Sequence, residues 1–225
     1  MIAKQLEQTR ADITRLELEH QRNPGSVELL AVSKKKPLSN IRQAIAAGQL
    51  AFGENYAEEG VNKIITLNDA SVSWHYIGHI QSNKTRLIAA HYQWVQSVDR
   101  AKIIERLTAH RPAELPALQI CLQVNVDAQD TKSGCSPAEL PELARLAAAA
   151  PNLVLRGIMA IPAPPTSVAE QRNVFADLKN LFDTLKSQHN TVDTLSMGMS
   201  ADIEAAIAEG STMVRVGTAI FGRRD

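Results

Sequence analysis

The sequence predicts an α/β protein that folds as a single (β/α)₈ TIM-type barrel with an extra N-terminal helix. Eight short apolar segments alternate with segments of helical pattern, and this alternation favours a parallel sheet with crossover helices. The chain has 225 residues, and such barrels usually have about 250. Hydrophobic residues make up 44% of the chain, which is enough apolar material for one substantial core.

The strands are predicted from short apolar runs bounded by turn residues or polar loops. They cover residues 29–33, 51–55, 73–78, 94–98, 118–125, 153–161, 194–197 and 213–221. The helices are predicted from apolar residues at helical spacing and from start and stop signals. They cover residues 2–22, 39–47, 58–67, 82–90, 100–110, 136–150, 168–188 and 201–208. The first helix precedes the first strand and is therefore additional to the eight repeating units.

Three helix starts are predicted from capping residues. Asp99 is placed to cap the fifth helix. Ser136 and Pro137 give the sixth helix a serine cap with proline at the first helical position. Ser200 is placed to cap the last helix.

An open doubly wound sheet is the alternative architecture. Neither G-x-G-x-x-G nor G-x-x-x-x-G-K-[ST] follows the first strand, so the phosphate-binding loops typical of that fold are missing from the sequence. The proline-rich stretch at 162–165 fits a loop between a strand and a helix better than a linker. We therefore expect residues 1–225 to form one domain.

Composition argues against several classes of function. The chain has 24 Lys+Arg and 24 Asp+Glu, and this zero net charge argues against a protein that mainly holds nucleic acid or an acidic membrane. Apolar runs fall short of the roughly 20 residues of a membrane span, and the charged N-terminal segment does not resemble a signal peptide. Cys121 and Cys135 fit neither a disulfide framework nor a metal site. We expect a soluble, cytoplasmic protein and, without an obvious dimer stripe, a monomer.

Three consecutive lysines at 34–36 follow the first strand, where barrels carry their active groups. Such a run often forms only a solvated loop. Period-two alternation places Lys34 on the same face as Val32, whereas Pro37 places Lys36 beyond the strand. Lys34, flanked by cations and partly desolvated, is expected to have a depressed pKa. A neutral amine is what a Schiff base with an aldehyde requires.

The last two strands predict an anion site. Arg215 lies inside an apolar segment, where it is either paired with a carboxylate or directed into the barrel mouth. Gly217 and Thr218 offer backbone N–H groups and a hydroxyl, and Ser200 precedes a helix whose N–H groups suit a phosphate. A lysine, an arginine and a phosphate cradle together match an aldehyde cofactor with a phosphate handle, pyridoxal 5'-phosphate (PLP).

Six motifs carry a family resemblance. They are AVSK at 31–34, FGENY at 52–56, WHYIG at 74–78, QSNK at 81–84, SMGMS at 196–200 and VRVGT at 214–218. With these motifs in this order, nearly the whole chain resembles the pyridoxal phosphate homeostasis protein family, small relatives of the alanine racemase barrel domain. The resemblance implies that Lys34 binds PLP as a Schiff base, and that Ser200, Gly217 and Thr218 hold its phosphate.

The resemblance also implies that Arg215 faces the pyridine nitrogen, that Asn55 lies beside the cofactor and that Met199 lines its pocket. A guanidinium stays protonated, so the pyridine would remain neutral and be a poor electron sink. Three further residues are carried over as rim residues only: Glu54, His79 and Lys84. The third cation, Lys35, departs from the family pattern.

We interpret the chain as a PLP-binding protein that keeps intracellular PLP, a form of vitamin B6, in balance without catalytic turnover. Lys34 would hold the cofactor, and PLP-dependent apo-enzymes would receive it. The sequence leaves open whether Lys35, Lys36 or Lys132 forms a secondary PLP site. A compact PLP-dependent amino-acid racemase is the alternative, although alanine racemases need a second base and Tyr56 is the tyrosine near a strand-two mouth. A third reading is a barrel that binds a phosphorylated sugar and forms no Schiff base.

Overall fold

The computed structural model of the chain describes residues 1–126, 133–163 and 167–222. Its eight strands are β1 (Glu28–Val32), β2 (Ala51–Glu54), β3 (Ser73–Tyr76), β4 (Trp94–Val98), β5 (Leu118–Gln123), β6 (Leu153–Met159), β7 (Thr194–Met199) and β8 (Met213–Val216). Each strand is parallel to the next, and β8 pairs with β1 to close the barrel. The predicted (β/α)₈ barrel is confirmed.

Nine α-helices lie in the described part of the chain. They are α1 (Ile2–Glu19), α2 (Leu38–Ala46), α3 (Ala57–Leu67), α4 (Thr85–His91), α5 (Ala101–His110), α6 (Leu140–Ala149), α7 (Val168–Gln188), α8 (Ile203–Ala208) and α9 (Thr218–Phe221). The additional N-terminal helix, α1, contacts α2, α8 and α9 and buries Leu6, Ile13 and Leu16. None of the helices described is both long and apolar enough to cross a membrane.

The prediction that the last strand runs to residue 221 is wrong. β8 ends at Val216, and the Gly217 carbonyl accepts hydrogen bonds from the N–H groups of Ile220 and Phe221. Both of these side chains are buried, and α9 contacts α1. The apolar run therefore serves helix packing rather than the sheet.

The predicted start of the sixth helix is also wrong. Ser136 and Glu139 hydrogen-bond each other in a separate turn, and α6 begins at Leu140. Pro141 has no N–H group, so it cannot make the helical hydrogen bond to the carbonyl of residue 137. The serine cap and the proline were real turn signals, but they mark a turn before the helix.

Two further predicted caps are replaced by neighbouring residues. Asp202, not Ser200, stands at the N-cap position of α8, and its carboxylate accepts the Met199 N–H. Asp99 forms an ion pair with Arg100, the residue at the N-cap position of α5. In both helices the start lies one or two residues later than the sequence indicated.

The barrel interior contains a polar chain with one fixed direction. Arg215 donates from Nη1 to Ser196 Oγ (2.7 Å), and Ser196 Oγ donates to Gln96 Oε1 (2.7 Å). Gln96 Nε2 then donates to His75 Nδ1 (2.9 Å). His75 must therefore be the neutral tautomer that donates from Nε2 to Ser73 Oγ (3.1 Å). The direction of every hydrogen bond in this chain of five side chains follows from the guanidinium of Arg215, which can only donate.

We predict that His75 makes the stability of the fold depend on pH. Burial lowers the His75 pKa from 6.5 to about 3. As the pH falls from 6.5 to about 3, the unfolded chain takes up a proton at this site that the folded chain does not. The contribution of His75 to the free energy of unfolding is therefore present above this window and is lost within it.

Urea unfolding of wild type and His75→Asn across this window tests the prediction. Stability should fall less with decreasing pH in the variant, so the two curves converge towards acid. His91→Asn, a change at a partly exposed histidine of α4, serves as the control and should keep the wild-type slope. Parallel curves for wild type and His75→Asn would contradict the prediction.

Candidate functional site

The candidate site lies at the rim where all eight parallel strands end. Lys34 follows β1, Asn55 follows β2, and Met199 is the last residue of β7. Arg215 lies in β8, where it pairs with Leu30 of β1 and with Met199. Ser200 lies in the turn after β7, and Gly217 and Thr218 follow β8. The fold thus brings all seven predicted site residues to one end of the barrel.

Lys34 lies in a turn rather than on the strand. β1 ends at Val32, and the Lys36 N–H donates to the Ser33 carbonyl (3.1 Å), which makes Lys34 and Lys35 the central residues of the turn. Lys35 has a φ of +58°, the left-handed conformation that L-residues rarely adopt. The expectation that period-two alternation extends to Lys34 is therefore wrong, because the backbone leaves the strand first.

A buried ion cluster holds this turn from the side of α3. Lys63 Nζ donates to the Ser33 carbonyl (2.8 Å), to Glu54 Oε1 (2.8 Å) and to Glu59 Oε1 (2.6 Å). Ser33 Oγ donates to Glu54 Oε1 (2.6 Å), and the Lys35 N–H donates to Glu59 Oε1 (2.6 Å). We call Ser33, Glu54, Glu59 and Lys63 the Lys63 cluster.

Glu54 was expected at the rim, and this expectation is wrong. A Cβ on Gly53 would lie 3.2 Å from Leu30 Cδ2 inside the barrel, so Glu54 points the opposite way, into the helix layer. Glu54 is fully buried there, and burial raises the pKa of its carboxyl group. His79 and Lys84 do lie at the rim and line one cavity of about 310 Å³ with Asn55.

The sequence analysis missed Lys63 and Glu59. Their spacing of four residues on a predicted helix is a usable signal for an ion pair. Nothing in that spacing indicated that the pair would meet a buried carboxylate and the backbone beside Lys34, because those contacts cross from α3 to β1 and β2.

Arg215 is buried, with 3% of its surface exposed, and makes no ion pair within the described residues. Nη1 donates to the Ser196 carbonyl and to Ser196 Oγ, and Nη2 donates to the Ala160 carbonyl, each at 2.7 Å. Burial lowers its pKa from 12.5 to about 10, so it stays protonated at neutral pH. Nε–H and one Nη2–H have no acceptor in the described structure.

Two other features at this rim fit a bound polar ligand. Asn55 Oδ1 is buried without a hydrogen-bond partner among the described residues. α9 begins at Thr218 directly after Gly217, and the first N–H groups of a helix have no acceptor within it. A Cβ on Gly217 would lie 3.2 Å from the Val32 carbonyl oxygen, so glycine permits the close approach of β8 to β1 here.

Two tryptophans and one cysteine serve packing in this structure. Trp74 is buried and contacts Phe52, and Trp94 stacks on His75, so both tryptophans are packing residues. Cys121 is a buried free thiol. Lys132 lies outside the described residues.

Comparison with known proteins identifies close relatives. The family model for the alanine racemase N-terminal domain matches residues 6–225. The pyridoxal phosphate homeostasis protein of Pseudomonas aeruginosa is 56% identical over 204 residues, covering 91% of this chain and 87% of that protein. The protein of the same name from Escherichia coli is 50% identical over 227 residues, covering 100% and 97%.

Solved structures agree with these relatives. PipY of Synechococcus elongatus, determined with PLP bound, has a TM-score of 0.83 and 36% identity, covering 99% of this chain and 100% of that one. Alanine racemase of Corynebacterium glutamicum has a TM-score of 0.71 at 15% identity, covering 96% of this chain and 61% of that one. At that identity, the second comparison supports the fold alone.

We predict that Gly60 is required where α3 passes the Lys63 cluster. A Cβ on Gly60 would lie 1.8 Å from the Tyr92 hydroxyl oxygen and 3.1 Å from Glu54 Cβ. Gly60→Ala should lower the free energy of unfolding by about 1–3 kcal/mol because it overpacks a buried site. Tyr92→Phe removes a buried hydroxyl that has no partner among the described residues, and should cost less than about 1 kcal/mol.

A double-mutant cycle measured by urea unfolding tests this prediction. Since Tyr92→Phe removes the atom nearest the new methyl group, the double variant should be more stable than the sum of the two single effects implies. Strict additivity would show that the two residues do not collide.

Proposed function

This chain belongs to the pyridoxal phosphate homeostasis protein family, and on that premise we propose that it stores PLP reversibly on Lys34 and releases it without catalytic turnover. One observation carries the proposal. The buried guanidinium of Arg215 stands at the ligand end of the barrel with neutral acceptors on three N–H groups and two N–H groups still available.

PLP supplies an aldehyde carbon that condenses reversibly with a primary amine, and a phosphate that binds N–H and hydroxyl donors. Lys34 supplies the amine from the turn after β1. Thr218 supplies a hydroxyl and a backbone N–H at the start of α9. Gly217 directly precedes it, and Ser200 follows the neighbouring strand β7. We propose that these three residues hold the phosphate.

Arg215 is proposed to orient the ring. Its available N–H groups match the lone pair of a pyridine nitrogen, which can only accept. Asn55, with its buried unpartnered oxygen, and Met199, at the end of β7, are proposed to flank the ligand. Since the guanidinium keeps its proton near neutral pH, it leaves the ring nitrogen unprotonated, which disfavours carbanion chemistry.

We propose that the protein does not turn over amino acids, because the tyrosines near the rim are poorly suited to act as a second catalytic base. Tyr56 is 47% exposed near the rim, and Lys35 Nζ lies 5.6 Å from the centre of its ring. Tyr76 is buried, its hydroxyl donates to the His79 carbonyl, and burial raises its pKa to about 12, so it is a poor base. A carrier needs no second base, because binding and release both use Lys34.

We further propose that the protein works as a cytoplasmic monomer and that its PLP passes to PLP-dependent apo-enzymes. Free PLP reacts with many amines, so a reversible carrier keeps its concentration low. The balanced charge of the chain supports neither nucleic acid nor membrane as the main partner.

We predict that Lys34→Arg abolishes covalent PLP binding at residue 34, because a guanidinium does not form the bond to the aldehyde carbon. Wild type mixed with PLP should turn yellow, and after borohydride reduction peptide mass mapping should place the label on residue 34. Lys4→Arg, an exposed change on α1, should behave like wild type. A colourless wild type, or label spread over surface lysines, would favour a phosphorylated-sugar ligand instead.

We also predict that the PLP-loaded protein does not exchange the α-proton of amino acids. In D₂O, NMR signals of the α-protons of alanine and other amino acids should persist for hours with catalytic amounts of protein. Exchange that depends on Lys34 and disappears in Tyr56→Phe would instead establish the racemase alternative.

A further inference from the structure

Both peptide groups that flank Lys34 are held by side chains of α3. The carbonyl of the Ser33–Lys34 peptide accepts from Lys63 Nζ at 2.8 Å. The N–H of the Lys34–Lys35 peptide donates to Glu59 Oε1 at 2.6 Å. Since these two peptide planes define φ and ψ of Lys34, the pair Glu59 and Lys63 fixes the backbone from which the Lys34 side chain departs.

All side-chain hydrogen-bond donors of Lys63 are used within the Lys63 cluster. Its ammonium has three protons, and each meets one acceptor, on Ser33, Glu54 or Glu59. The side chain is 9% exposed, and a buried ammonium is costly unless its partners are well placed. The buried ammonium therefore joins the turn that carries Lys34 to the last residue of β2, Glu54.

The side chains of Lys35 and Lys36 contact groups outside the Lys63 cluster. Lys35 adopts the left-handed conformation, and its Nζ lies over the ring of Tyr56. Lys36 Nζ donates to the Gly222 carbonyl (3.2 Å), just past the end of α9. The left-handed residue reverses the chain immediately after Lys34, so the turn separates the three amines that lie side by side in the sequence.

We infer that the Lys63 cluster is a positioning device that makes Lys34, rather than Lys35 or Lys36, the lysine that bonds to PLP. This inference rests on the proposed function. The lysine nitrogen adds to the aldehyde carbon, the carbonyl oxygen leaves as water with two protons of the amine, and a carbon–nitrogen double bond forms. Loosening the turn lets a neighbouring amine reach the same carbon.

The test measures where the label goes. Lys63→Met and Glu59→Ala are each saturated with PLP and reduced with borohydride, which adds hydride to the carbon while the nitrogen takes a proton from water. Peptide mass mapping then gives the ratio of label on residue 34 to label on residues 35 and 36. We expect this ratio to fall about tenfold in both variants, as for loss of one charge-assisted hydrogen bond to the backbone.

Conservative and matched variants separate positioning from general destabilisation. Glu59→Gln keeps an oxygen that can accept the Lys35 N–H, and should restore the wild-type ratio. Glu19→Ala removes the acid of another i,i+4 ion pair, with Arg15 on α1, and should leave the ratio unchanged. If Lys63→Met does not fold because Glu54 keeps a buried charge, Glu59→Ala decides the question, since it leaves the Lys63–Glu54 pair in place.

Different labelling results would overturn the proposed function and the positioning role of the Lys63 cluster. A wild type that takes no label on Lys34 overturns the proposed function and this inference together. A wild type labelled on Lys34, with the same ratio in Glu59→Ala as in Glu19→Ala, overturns only the inference. Label that moves to residues 35 and 36 in Glu59→Ala and returns to residue 34 in Glu59→Gln supports it.

Discussion

The pairing of β8 with β1 is the constraint on which the rest of the structure depends. It closes the sheet, and its register sets Leu30 opposite Arg215 and Ala31 opposite Val216. The loops after these two strands, which carry Lys34 on one side and Gly217 on the other, must therefore begin side by side. The backbones approach so closely that a Cβ on Gly217 would press on the Val32 carbonyl. A barrel that did not close here would leave Lys34 and the backbone of Gly217 on opposite edges of an open sheet.

The buried cations Arg215 and Lys63 are used in different ways. Arg215 sits among neutral acceptors, so burial lowers its pKa to about 10 without removing its charge, and two of its N–H groups stay available. Lys63 has carboxylates on two sides and a carbonyl on the third, so its charge and its donors are consumed within the protein. The first arrangement suits a group that meets a ligand, and the second suits a group that holds a backbone. Arg215 and Lys63 therefore differ in the number of N–H groups that have no acceptor within the protein.

The polar interior explains how a single charge orders distant side chains. A guanidinium can only donate, so Ser196 must pass its own proton on to Gln96, and Gln96 must present its amide to His75. This order requires a neutral imidazole, which agrees with the low pKa that burial gives His75. The orientation of Arg215 is thus tied to side chains that lie deep inside the barrel. A change at any link would leave a buried donor or acceptor without its partner, which is costly in a site closed to water.

Alternation and strand ends are local patterns, so the sequence predicts the eight strands, the additional helix and the rim position of the seven candidate residues. It missed that residues 218–221 form a helix, since their apolar character fits a strand as well as a helix packed on α1. The direction of Glu54 towards α3 and the contact of Lys63 with the backbone beside Lys34 become visible only in the folded chain. These two contacts join residues that are 30 and 9 positions apart in the chain. A buried charge is stable only where the fold supplies hydrogen-bonding and charged partners. Those partners are not adjacent in the chain, so local sequence patterns do not reveal them.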